Sequence, residues 1–153
     1  MQTANAALRE LTVRYTRKHA PDGQRIVTAR AIQNPADSAA LFSALLADEP
    51  AEVFAMLCLS TKHRVIAYHE VSRGTLDATL VHPREVFKAA LLANAAAIIL
   101  AHNHPSGHPA PSPDDAALTT RLASAGEMLG IPVLDHIVIG DGRYFSFREA
   151  GRL

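Results

Sequence analysis

Residues 97–101, Ala-Ile-Ile-Leu-Ala, form a wholly apolar run that leads directly into His102-Asn103-His104. A short run with no polar residue at alternate positions is what a strand looks like when both of its faces are covered. Strands of that kind lie at the centre of sheets that carry helices on both sides. The run therefore restricts the chain to an α/β class with a mixed central sheet.

The flanking pattern supplies the other layers. Asn34-Pro35 breaks the chain. Asp37 is then expected to cap a helix whose apolar positions are Ala40, Leu41, Ala44 and Leu45, ending at Glu49-Pro50. Residues 53–59 and 64–71 read as a β-hairpin turning near 61–63. Residues 79–81 are expected to be extended. Pro83 suits the first turn of a helix to about Asn94, with Val86, Phe87, Ala90 and Leu91 on its apolar face. Residues 102–111 read as loop, Ser112 starts a helix to about Leu129, and Gly130 ends it. Val133–Ile139 and residues 144–147 close the domain as two strands around Asp141-Gly142. Ahead of this domain, at 36–153, residues 1–35 form an N-terminal extension expected to be a β-hairpin. In it, residues 11–15 turn Leu11, Val13 and Tyr15 inward, and residues 24–29 return after a turn at 19–23.

The 153 residues are enough for one domain with a hydrophobic core, and 48% of them are apolar. Fifteen basic and fifteen acidic residues cancel, so no electrostatic footprint for nucleic acid is visible and strong direct binding to it is not expected. The single cysteine, Cys58, lies in an apolar run and reads as a buried strand residue. With no internal disulfide, no leader pattern and no apolar stretch long enough to span a bilayer, a cytoplasmic protein without membrane attachment is expected. A homodimer is compatible with the sequence.

His102 and His104 stand apart from the other histidines. Side chains two apart on extended chain point the same way, so both imidazoles can converge on one point. A catalytic zinc site uses three protein ligands and keeps one position open. The third ligand is sought among nearby carboxylates, and Asp114 and Asp115 both qualify. Ser-Pro-Asp-Asp at 112–115 is also a good helix start in its own right, with serine as N-cap and proline in the first turn. His108 is a candidate fourth ligand or substrate contact. Asp135-His136 is a candidate for a buried pair that orients a ligand.

The segment HNHPSGHPAPSPDD fits His-x-His-x7-Ser-x-x-Asp, which matches the JAMM motif at His102, His104, Ser112 and Asp115. Together, HPREVFKAALLANAAAIILAHNHPSG, PSPDDAALTTRL and LDHIVIG resemble the RadC-like branch of the JAB/MPN+ (JAMM) hydrolases over residues 36–148 or so. The resemblance implies a three-layer, cytidine-deaminase-like α/β/α sandwich and zinc held by His102, His104 and Asp115, which decides between the two aspartates. It also implies a catalytic glutamate just before the first core strand. Here that is Glu52 ahead of VFAMLCLS, with Glu70 and Glu85 as rivals. Ser112 would help hold the oxyanion.

The implied activity is zinc-dependent hydrolysis of a peptide or isopeptide amide bond in an unidentified protein or peptide substrate. The alternative is an accessory module in DNA processing or mobile-element biology with a structural or vestigial zinc site, a structural one being closed by a fourth protein ligand such as His108. Full-length RadC proteins carry an N-terminal helix-hairpin-helix region, which residues 1–35 are too short to supply. The chain is therefore expected to be a compact form, to which the family label of DNA repair transfers poorly. Binding to duplex DNA should be weak, sequence-independent and steeply reduced by salt, because no excess basic charge is available to release counterions. A fluorescence-anisotropy titration that found tight, sequence-specific binding at physiological salt would overturn this.

Overall fold

A computed structural model of the chain describes residues 8–24, 26, 31–74 and 81–153. Its elements follow in the order α1 (Pro35–Leu46), β1 (Glu52–Leu59), β2 (Val65–Gly74), α2 (Pro83–Leu92), β3 (Ala97–Asn103), α3 (Pro113–Leu129), β4 (Val133–Ile139) and β5 (Tyr144–Ser146). The strands form one mixed sheet in the order β2-β1-β3-β4-β5. β1 is antiparallel to both β2 and β3, β3 and β4 run parallel, and β5 returns antiparallel to β4. No helix among the described residues is long and apolar enough to cross a membrane.

Strand alternation builds two cores, one on each face of the sheet. Phe54, Met56 and Cys58 of β1 and Ile98 and Leu100 of β3 face α2 and α3, packing on Val86, Phe87, Ala90, Leu118 and Leu122. Val53, Ala55, Leu57 and Leu59 of β1, with Ile99 and Ala101 of β3, face α1 at Ala39, Phe42, Leu45 and Leu46. This is the mixed-sheet α/β class expected from the order of elements and the three-layer arrangement that the family resemblance implies. Full burial of each large side chain contributes about 1.5–3 kcal/mol relative to leaving it exposed.

Local chemistry sets most boundaries where the sequence placed them, with informative differences. The N-cap of α1 is Asn34, and Asp37 is its N3 residue, completing a reciprocal capping box. The buried face is consequently Ser38, Ala39, Phe42, Leu45 and Leu46, while Ala40 and Ala44 are exposed. In α2, Leu91 is exposed and the core face stops at Ala90. α3 starts and stops as expected: Ser112 caps it, and Gly130 ends it in the left-handed conformation at φ 69°. β3 runs two residues further than its apolar run, so His102 and Asn103 are strand residues, both buried. Hydrogen bonding to β1 and β4 on both sides carries the ladder past the last apolar residue.

Residues 11–15 do not form the expected strand: Leu11, Val13 and Tyr15 are exposed, and the segment has no ladder. Alternation alone cannot make a strand without an edge to pair with. Most of the return strand expected at 24–29, and residues 79–80 of the expected extended segment, lie outside the described residues.

Cys58 is buried in the core between β1 and the α2–α3 layer. Burial pushes its thiol up to about 11 from 9.0. The folded state thus holds this proton more tightly than the unfolded chain does. That contribution to stability is complete below the unfolded thiol's pKa and is lost as pH rises toward the folded value. Cys58 should resist alkylation by iodoacetamide at pH 8 in the native protein and react promptly in guanidinium, as read by mass spectrometry. Equal rates in the two states would contradict the burial.

Candidate metal centre

The site lies where the C-terminal end of β3 meets the N-terminus of α3. His102 is fully buried on the face that packs against α2 and α3, level with Phe54 of β1 and Val138 of β4. His104 follows just beyond the strand. Its N–H still donates to the Ile139 carbonyl at 2.8 Å, which keeps it in the extended path that alternation requires. Nε2 of His102 and Nε2 of His104 are 3.0 Å apart. Asp115 Oδ2 lies 3.4 Å from the first and 3.3 Å from the second. The three side chains form a group able to hold a metal ion.

Helical phase decides between the two aspartates. Asp115, Leu118, Thr119 and Leu122 share the buried face of α3, whereas Asp114 points to solvent. The capping box fixes Asp115 further. Ser112 Oγ accepts from the Asp115 N–H at 3.1 Å, and Asp115 Oδ2 accepts from the Ser112 N–H at 2.8 Å. Burial alone would raise the Asp115 pKa. The imidazole beside it at His102, together with the Ser112 contacts, outweighs that and holds the carboxyl well below the usual carboxylate range. Its position in the first turn of a helix also favours the anion.

The loop after His104 is pinned to the β4–β5 turn. The Asp141 N–H donates to the Gly107 carbonyl at 2.9 Å. A Cβ on Gly140 would sit 2.5 Å from that same carbonyl, so only glycine fits this approach. The pinned loop turns the His108 carbonyl onto His104 Nδ1 at 2.8 Å. The His108 ring lies outside the cluster, with its Nδ1 3.4 Å from Arg143 Nη2. His108 therefore serves the site through its backbone, and its imidazole is not positioned as a fourth ligand.

Of the three glutamates weighed from sequence, Glu52 opens β1 and by strand alternation lies on the same sheet face as His102. The β1–β3 register pairs Phe54 with His102. Two residues back along β1, on the same face, the strand reaches Glu52, level with position 104. Glu70 pairs with Ala55 on the α1 side of the sheet and is engaged by Arg73. Glu85 sits in the first turn of α2 and binds Lys88 at 2.7 Å.

One further contributor, Asn103, escaped the sequence reading, and of the candidate pair Asp135-His136 it is the histidine that meets a ligand. Asn103, between the two histidines, points to the opposite face. There its Oδ1 accepts from the Val53 N–H at 2.7 Å, and its Nδ2 donates to the Glu49 and Ala51 carbonyls at 3.2 and 3.0 Å. It thus clamps the backbone on either side of Glu52. Behind His102 lies His136, fully buried, with its Nε2 2.8 Å from His102 Nδ1 and its Nδ1 2.6 Å from Thr119 Oγ1. Burial holds the His136 pKa well below its ordinary value, so this imidazole is neutral. Phe54 and Phe147 flank it, the latter stacked at 5.1 Å between ring centroids. The neighbouring Asp135 binds elsewhere: it accepts from the Ser146 hydroxyl at 2.6 Å and from the His136 and Arg148 N–H groups, tying β4 to β5.

The family model described as "RadC-like JAB domain" matches residues 32–152. The chain is 50% identical over 130 residues to a UPF0758 protein of Trichlorobacter lovleyi, an overlap of 85% of this chain and 56% of that protein. It is 48% identical over 122 residues to a UPF0758 protein of Methanosarcina acetivorans, covering 80% and 53% of the two chains. A third, from Alkaliphilus oremlandii, is 57% identical over 98 residues, 64% of this chain and 42% of that one. The chain spans about half the length of these curated relatives.

Asp115→Ala should weaken zinc binding by more than the roughly 10- to 100-fold that outer hydrogen-bond partners of ligands contribute. Asp114→Ala should leave it near wild type. Competition against a chromophoric chelator measures both, and the reverse order would remove Asp115 from the ligand set.

Proposed function

Because the chain belongs to the RadC-like JAB domain family, we propose that it is a zinc-dependent hydrolase of the JAMM type that cleaves a peptide or isopeptide amide bond. The observation that carries this reading is the convergence of His102 Nε2, His104 Nε2 and Asp115 Oδ2 at separations of 3.0, 3.3 and 3.4 Å. Ligand atoms about 2.0–2.2 Å from a tetrahedral zinc lie about 3.3–3.6 Å from one another, so the donor set fits that ion in kind, and both separations to Asp115 fit it in spacing, while the two imidazole nitrogens lie somewhat closer. Two nitrogens and one carboxylate oxygen also make a set that leaves one position for water.

Bound there, zinc supplies Lewis acidity and brings the pKa of water toward neutrality. Glu52 would serve as the general base toward the attacking water and as the general acid toward the leaving amine. Asn103 serves this step by fixing the backbone before and after Glu52. The Ser112 oxygen accepts from the Asp115 N–H, which leaves its own hydroxyl proton free to donate to a developing oxyanion at the exposed rim. Asp115, kept ionised by its surroundings, holds its charge across the working pH range.

The accessory-module alternative, in its form with a structural zinc, requires a fourth protein ligand. Among the described residues the cluster has three, and His108 is turned toward Arg143. The open-site reading is therefore the better supported. The substrate is a protein or peptide, with no strong nucleic-acid binding by this domain.

Glu52→Gln should retain fold and zinc but lose turnover by about 100- to 10,000-fold, the usual contribution of a general acid/base. Glu70→Gln and Glu85→Gln should change the rate only modestly. A panel of ubiquitin-like conjugates and peptides provides the assay. Full activity in Glu52→Gln would remove that residue from the mechanism. A wild type that binds zinc yet hydrolyses nothing in the panel would favour the accessory module.

A further inference from the structure

Behind the metal cluster runs a closed chain of buried contacts whose polarity can be worked out from donors and acceptors alone. Thr119 Oγ1 lies 2.7 Å from the Asp115 carbonyl oxygen and 2.6 Å from His136 Nδ1. A carbonyl only accepts, and a threonine hydroxyl has one proton. If that proton went to His136, two oxygens would face each other at 2.7 Å with nothing between them. Both contacts are hydrogen bonds in one setting only: the hydroxyl donates to the Asp115 carbonyl and accepts from a proton on His136 Nδ1.

The consequence passes along the chain. His136 is fully buried and none of the ion pairs among the described residues reaches it, so it carries a single ring proton; with that proton on Nδ1 it presents a lone pair at Nε2, 2.8 Å from His102 Nδ1. His102 must then carry its proton on Nδ1, which leaves Nε2 as a lone pair aimed at His104 and Asp115. The other histidine ligand donates from Nδ1 to the His108 carbonyl, and in the metal-free chain the proton between the two Nε2 atoms, 3.0 Å apart, is then His104's, facing the Asp115 carboxylate and given up to a cation. Thr119, His136 and His102 are all buried, with 1%, 0% and 0% of their surfaces exposed, so a wrong tautomer anywhere leaves an unpaired polar group that water cannot reach.

We propose that Thr119 is a positioning residue for metal binding: acting through His136, its hydroxyl fixes His102 in the tautomer whose Nε2 is free to bind a cation. The relay rests on the metal-site reading for its purpose, but its existence is a property of the metal-free chain. Thr119 touches neither metal nor substrate. What it supplies is a directional end to a run of imidazoles that would otherwise be free to shift every proton by one position.

The experiment has two arms on the full chain. Long-range proton–nitrogen correlation spectra of the metal-free wild type report which ring nitrogen of each histidine bears the proton. The relay requires Nδ1 protonation at both His102 and His136, and an Nε2 proton on His136 would overturn it whether or not zinc binds. In the second arm, the zinc Kd is measured for Thr119→Val, which keeps shape and removes the hydroxyl, and for Thr119→Ser, which keeps the hydroxyl. Thr119→Val should raise the Kd by about 10- to 100-fold and move the His136 proton from Nδ1 to Nε2, while Thr119→Ser should stay near wild type. A folded Thr119→Val protein with wild-type Kd and unchanged tautomers would sink the proposal, and if that variant does not fold, the wild-type spectra decide. Failure of the wild type to bind zinc would instead remove the metal-site reading, and the spectra would still decide the relay.

Discussion

β3 is covered on both faces and hydrogen-bonded on both edges, and the rest of the site depends on that constraint. A strand held in this way cannot rotate or slip without unpacking both cores, because a one-residue shift would exchange its faces. The last two residues of the strand, His102 and Asn103, are polar and buried, so each must find partners within the protein. They do so on opposite sides. His102 meets His136 and the metal cluster, and Asn103 seizes the backbone around Glu52. One rigid strand therefore sets the distance between the ligands and the proposed general base, with no loop intervening on the ligand side.

The helix that supplies the third ligand is anchored by the same atoms that build the site. Asp115 Oδ2 closes the capping box on the Ser112 N–H and also faces both imidazoles. Ser112 in turn satisfies the Asp115 N–H, one of the donors that every helix start leaves unpaired. Structural and functional readings of Ser-Pro-Asp-Asp are thus not competitors. The cap orients the carboxylate, and the helix start stabilises its charge. Thr119, one turn further along the same face, extends the arrangement to His136, so α3 contacts the imidazole system at both ends.

Much of this was legible because short-range geometry carries it. The i, i+2 spacing of His102 and His104 on extended chain, the boundaries of α3 from Ser112 to Gly130, and the doubly buried strand at 97–101 each follow from periodicity or capping rules that need no tertiary contact. The errors lie where two local rules compete. Asn34 and Asp37 are both good caps, and choosing the second shifted the α1 face onto Ala40 and Ala44. Alternation at Leu11, Val13 and Tyr15 suggested a strand, but no ladder forms there in the structure. The apolar run at 97–101 understated β3 because hydrophobicity ends before hydrogen bonding does.

The sequence by itself determined the class of fold, the identity of the two histidines and the helix that follows them, since each is written in the spacing of neighbouring residues. Only the tertiary structure decided what depends on register and facing between distant segments. That Glu52 rather than Glu70 shares a face with His102 follows from the β1–β3 pairing and the antiparallel hairpin beyond it. That Asn103 clamps residues 50 positions away, and that Thr119 stands behind His136, is likewise invisible in a linear chain, and the sequence offered His136 as orienting a ligand without saying which one. A hydrogen bond needs its partners within about 3 Å, and no local periodicity specifies which remote residue the fold will bring that close.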